Sequence, residues 1–109
     1  MSAHYVLNAD HTVSVASDFL AWALWFETAN RRVARDLCHD GAVEVSTVFL
    51  GRDHGFTQDA PPILFETMVF GGSLNDEQER YATWGEAENG HAAMVARVRS
   101  VDHADRHPT

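Results

Sequence analysis

Residues 43–72 read VEVSTVFLG, then RDHGFTQDAPP, then ILFETMVFGG. Two apolar runs flank one polar segment marked by Gly and Pro. Runs rich in Val, Phe and Thr with period-two alternation read as strands. The runs are therefore expected to be the central strands of an antiparallel sheet, joined by an elaborate loop over residues 51–62. Pro61-Pro62 stiffens the re-entry and removes ladder donors there. In the second run Ile63, Phe65, Thr67 and Val69 alternate with Leu64, Glu66, Met68 and Phe70. Both sides are largely apolar, so this strand is expected to be covered on both faces. Glu66 then becomes a carboxylate in apolar company, which must find a partner or neutralise.

The remaining elements arrange themselves around that pair. Residues 5–7 and 12–16 flank Asn8-Ala9-Asp10-His11, and the turn formers Asn8 and Asp10 predict an N-terminal hairpin. Ser17 or Asp18 caps a helix over residues 19–29, with Phe19, Trp22, Ala23 and Phe26 on one face and Leu20, Leu24 and Trp25 widening the apolar arc. Residues 31–39 alternate as a strand, and Asp40-Gly41 is a short hairpin signal. That turn sets a register of Cys38 opposite Val43, Asp36 opposite Val45 and Ala34 opposite Thr47. Arg35 and Glu44 then lie diagonally, within reach of a cross-strand ion pair. Residues 80–82 read as a short edge strand. Thr83 and Glu86 form a capping box, and the helix after it aligns Trp84, Ala87, His91, Met94, Val95, Val98 and Val101. Residues 102–109 read as a polar, frayed tail. The expected fold is one α+β domain over residues 1–109, an antiparallel sheet with two helices in the order β-β-α-β-β-β-(β)-α.

Charge excludes one function class. Sixteen acidic residues face eight basic ones, all Arg, for a formal net charge of −8. Phosphate contacts need a basic footprint, so direct nucleic-acid binding is not expected. The same surface repels anionic membranes and favours a basic protein partner. No run approaches the roughly 20 apolar residues of a bilayer span. The single Cys38 and the absence of a leader pattern lead to an expected cytoplasmic location.

Several residues are candidates for chemistry. Asp53-His54 lies in the loop between the central strands, where curled backbone can bring both side chains to one point. Asp53, His54, Glu66 and His91 together would make a metal site of hard or zinc-like donors. Glu66 with His54 or His91 would make a minimal acid–base pair. The competing readings are that Asp53 and His54 order the loop by local hydrogen bonds and that His91 is a satisfied core histidine. Cys38 and His39 are strand neighbours and diverge. No cofactor motif is present, so no cofactor is expected. For binding, Leu24, Trp25 and Phe56 are the candidate interface, because aromatic residues anchor interfaces.

Several segments taken together resemble a widespread family of short proteins encoded by bacteriophages and prophages. They are VSTVFLG at 45–51, Asp53-His54 with Phe56, Pro61-Pro62, LFETMVFGG at 64–72, Arg80-Tyr81, Thr83-Trp84, Glu86-Ala87 and Gly90-His91. Thr57 to Ala60 and Cys38-His39 depart from that pattern. The resemblance implies a phage setting and no particular chemistry. The leading expectation is thus a small acidic phage accessory protein that binds and modulates a host protein, for instance an anti-CRISPR-like inhibitor of a nucleic-acid-handling defence. The alternatives are a structural homodimer, because two helices need not cover a whole sheet, and a small metal- or acid/base-dependent enzyme.

Overall fold

The computed structural model describes residues 3–55 and 59–106. A two-stranded hairpin, β1 (Tyr5–Leu7) and β2 (Val13–Val15), precedes helix α1 (Phe19–Thr28). Strands β3 (Arg32–Cys38), β4 (Val43–Phe49), β5 (Phe65–Phe70) and β6 (Gln78–Tyr81) follow, then helix α2 (Trp84–Arg106). The four later strands form one antiparallel sheet in sequence order, and the hairpin is a separate sheet. This is the expected α+β order, with the two apolar runs in the middle.

The β3–β4 turn follows from its residues. Asp40 and Gly41 have φ of 59° and 88°, the positive values that a tight hairpin turn with right-handed strand twist demands. The register is the expected one, Cys38 opposite Val43, Asp36 opposite Val45 and Ala34 opposite Thr47. A bulge between Arg32 and Ala34 breaks the alternation at the start of β3. It turns Val33 into the core beside Phe49 and Phe65, where strict alternation places it with Arg35 and Leu37.

Both helices are capped as their sequences dictate. The Asp18 carboxylate accepts from the amides of Leu20 and Ala21. At α2 the Glu86 amide donates to Thr83 Oγ1 (3.1 Å) and the Glu86 carboxylate accepts from the Thr83 amide (3.2 Å). The helix continues to Arg106, so much of the segment expected to be a frayed tail is helical. Val101 is exposed at 38%, because it lies beyond the end of the sheet that the rest of its face covers.

Among the described residues one face of the sheet is covered. α2 lays Ala87, His91, Met94, Val95 and Val98 on it, and Val43, Val45, Phe49, Phe65 and Val69 meet them, all buried. The hairpin and Trp25 close the same face at the Phe49–Phe65 end. The other face is open among the described residues, with Leu37 at 52% and Phe70 at 47% exposure. This corrects the expectation that β5 is covered twice. β5 is central, but among the described residues the covering elements pack from one side. Glu66, on the open face, is paired with Arg80 at 2.9 Å and is no buried anomaly.

Gly90 interrupts α2 for a reason outside the helix. A Cβ there would overlap the ring and hydroxyl of Tyr81, so the missing side chain is the notch through which Tyr81 reaches under the helix. On helix propensity alone Gly90→Ala would add about 1 kcal/mol. We expect a net loss of about 1–2 kcal/mol, because overpacking outweighs that gain. Urea unfolding checks it, and in a Tyr81→Ala background the same change should become stabilising.

Candidate functional site

Two features of the surface and one of the interior could carry function. The interior one is a file of polar side chains that crosses the sheet beneath α2. Tyr81 on β6 donates to Thr67 Oγ1 (3.1 Å), and Thr67 Oγ1 lies 2.5 Å from Thr47 Oγ1 on β4. Thr47 Oγ1 is 2.7 Å from His91 Nδ1, and His91 Nε2 is 2.7 Å from Asp36 Oδ2 on β3. Each strand of the four supplies one member. Thr47 and Thr67 are fully buried and His91 is 5% exposed. The Asp36 side chain keeps 45% exposure.

Donor arithmetic orders this file. A carboxylate only accepts, so Nε2 donates to Asp36, and in the neutral tautomer that leaves Nδ1 to accept. Thr47 then donates to Nδ1, Thr67 to Thr47, and Tyr81 to Thr67. Every proton points towards Asp36, and each bond polarises the next. Burial raises the Tyr81 phenol above its ordinary value, with the neighbouring Glu79 carboxylate adding to it. The set contains a carboxylate, an imidazole and a hydroxyl in sequence, the chemistry of an activated nucleophile. Yet Thr47 has no surface at all, so the hydroxyl meets no substrate. The file is a structural device of the core.

The expected metal and acid–base residues do not come together. His91 is on the covered face of the sheet, and Glu66 is on the open face with Arg80. The sheet separates them. Among the described residues no group of three His, Cys, Asp or Glu converges. Asp53 orders its loop instead. Its Oδ1 accepts from the amides of Gly55 and Ile63, both at 2.8 Å, and the His54 amide donates to Ile63 O. The His54 side chain is exposed.

α1 carries the first surface feature. Trp22 is buried, its Nε1–H donating to Tyr5 O at 2.8 Å. Phe26 stacks on Trp22 and lies under the Arg31 guanidinium, 3.8 Å from ring centre to charge. Phe26 also fills the space beside Gly51, whose φ is +79° and where a Cβ would come within 2.7 Å of the Phe26 ring. Trp25, expected as an anchor, is half-buried with its ring edge-on to Phe49. The other side of the helix faces outward. Phe19, Leu20 and Leu24 are 64%, 65% and 60% exposed, and Val15 on β2 is 64% exposed. Of the expected interface residues, Leu24 lies on this patch and Phe56 lies outside the described residues.

The second surface feature is a cleft of about 500 Å³ between the hairpin tip and the start of α2, lined by Asp10, His11, Phe65, Thr83, Trp84 and Glu88 among others. His11, at φ +72°, stacks on Trp84 with ring centres 3.7 Å apart. The contact clasps the hairpin to the body, and Asp10 is occupied by the amide and hydroxyl of Thr12.

Sequence reading missed Asp36, Thr47 and Thr67. The signal was present in the register, which places Asp36 and Thr47 on the apolar face of the sheet, while helical spacing places His91 on the apolar face of α2. Polar groups on facing apolar surfaces need one another. It also missed the exposure of Phe19 and Leu20, because a helix apolar nearly all round reads as buried. Among the described residues no helix is long and apolar enough to cross a membrane. No family model, curated protein or solved structure matches the chain.

Two outcomes are expected. Thr47→Val orphans both His91 Nδ1 and the Thr67 hydroxyl, so it should cost about 2–3 kcal/mol in urea unfolding. Thr67→Val should cost less, because Tyr81 can turn its hydroxyl to water. Equal costs would contradict the proton order. Asp53 gives a pH signature. Hydrogen bonds from Ile63 and Gly55 hold its carboxyl below the ordinary value of 3.8. Its contribution is full above the unfolded value and is lost as pH falls through the lower folded one. Asp53→Ala should therefore melt below wild type at pH 7, and the gap should close in strong acid.

Proposed function

We propose that this chain is an interaction module that docks the outward side of α1 onto a partner protein and modulates it. The observation that supports this reading is the apolar patch of Val15, Phe19, Leu20 and Leu24, each between 60% and 65% exposed. Single apolar residues on a surface need no explanation, but three of these four lie within two turns of one helix, and grouped exposed apolar residues mark a contact. Leu20 and Leu24 follow the i, i+4 spacing of apolar anchors on a helix laid in a groove.

Charge narrows the partner. Asp18 and Glu27 stand at the two ends of the patch, and α1 has no basic residue. With a net charge of −8 over the chain, the complementary surface is an apolar groove with a basic rim. In the phage setting that the resemblance implies, the target is a host protein. A defence protein that handles nucleic acid offers this chemistry, because its nucleic-acid site is itself basic. An anti-CRISPR-like inhibitor is the form this reading takes.

The test uses the whole chain as bait in host lysate, followed by calorimetry with each purified captured protein. Leu20→Glu/Leu24→Glu should weaken binding at least tenfold while leaving the melting temperature unchanged, since neither side chain is packed. Affinity should also fall as salt rises. A partner bound equally by wild type and variant would defeat the assignment to α1.

A further inference from the structure

The cleft between the hairpin tip and the start of α2 belongs neither to the core nor to the α1 patch. Its volume of about 500 Å³ lies within the range of small-molecule sites. We propose that it binds a small organic cation, a planar amidinium or guanidinium carried on an apolar body.

The walls select that chemistry. Trp84 is half-buried and Phe65 fully buried, and their ring planes stand at 88°. His11 stacks on Trp84 with 8° between the planes, so a flat, nitrogen-bearing ring is already a neighbour of this indole. Cations are drawn to an indole more strongly than to any other side-chain ring. Asp10 and Glu88 supply the charge, and among the described residues no Arg lines the cleft. Glu88 stands one turn along α2 from Trp84, so carboxylate and ring share one side of the helix. Both bonds from Thr12 to Asp10 fall on Oδ1, and among the described residues Oδ2 takes none. The Thr12 hydroxyl, and then its amide, hold the Asp10 carboxyl below the ordinary value of 3.8, so it is ionised at neutral pH. The positive end of α2 also opens here and by itself would favour an anion. Glu86 already answers it, accepting from the amides of Ala82 and Thr83.

Gly85 is an independent observation on the same space. It lies in the first turn of α2 and lines the cleft. Glycine weakens a helix relative to alanine, and packing does not ask for it here: a Cβ at Gly85 would meet nothing within 4 Å. Gly90, by contrast, makes room for Tyr81. Gly85 is three residues before Glu88, hence on the same side of the helix. A side chain there would stand beside the Glu88 carboxylate and the Trp84 ring, in the volume that the ligand takes.

NMR titration of the whole chain with benzamidinium, benzamide and benzoate tests this, since the three share one ring and differ in charge. Benzamidinium should give saturable amide shifts at Trp84, Gly85, Glu88 and residues 10–13, with a Kd of about 1 mM or tighter. Benzamide should bind about tenfold more weakly, and benzoate should not saturate. Glu88→Gln should weaken benzamidinium about fivefold. Gly85→Leu should abolish saturation while the melting temperature holds or rises, because leucine is the better helix former. Leu20→Glu/Leu24→Glu should bind benzamidinium as wild type does, which separates the cleft from the α1 patch. Benzamidinium shifts that do not saturate, or that centre outside the cleft, overturn the proposal. So do benzamide or benzoate binding as tightly, or either Glu88→Gln or Gly85→Leu binding as wild type.

Discussion

The seating of α2 depends on the hydrogen bonds that run from Tyr81 through Thr67, Thr47 and His91 to Asp36. Apolar contacts between Met94, Val95 and Val98 and the valines of the sheet are non-directional. A helix rolled or slid by part of a turn would keep most of that burial. It could not keep His91 between Asp36 and Thr47 at 2.7 Å on both sides. The polar file fixes the rotation and register that the valines leave open, as satisfied buried networks do. Gly90 belongs to the same device, since Tyr81 reaches Thr67 only through the gap in the helix surface.

The covered face and the open face have different logics. On the covered face every polar atom of the file has a protein partner, and the apolar residues are buried to within a few per cent. On the open face Arg35 pairs with Glu44 and Arg80 with Glu66, while Arg32 lies opposite Val48 and Ser46 opposite Met68. Such exposed pairs add little stability.

Much of the architecture could be read from residue order because local signals agreed. Asp40-Gly41 set the β3–β4 register, Thr83 and Glu86 set the start of α2, and alternation placed the two central strands. What could not be read depends on contacts between distant segments. Alternation on both sides of residues 63–70 looks the same whether one face or two are covered. Helical spacing through Phe19 to Phe26 shows a wide apolar arc, but not which part meets Tyr5 and Gly51 and which part meets water. The candidate metal set failed for a similar reason. Glu66 and His91 each looked short of a partner, and each had one, Arg80 and Asp36, on opposite sides of the sheet. The bulge before Ala34 is likewise invisible until Val33 is seen against Phe49.

α1 is held by Trp22, Trp25 and Phe26, while Leu20 and Leu24 take no part in holding it. A substitution at either leucine therefore meets no folding constraint, and mutation can sample the outward side of the helix freely while the inward side stays fixed. Under the proposed docking role, separating the residues that build the scaffold from those that face outward would let the preference for one target drift to another without passing through an unfolded ancestor.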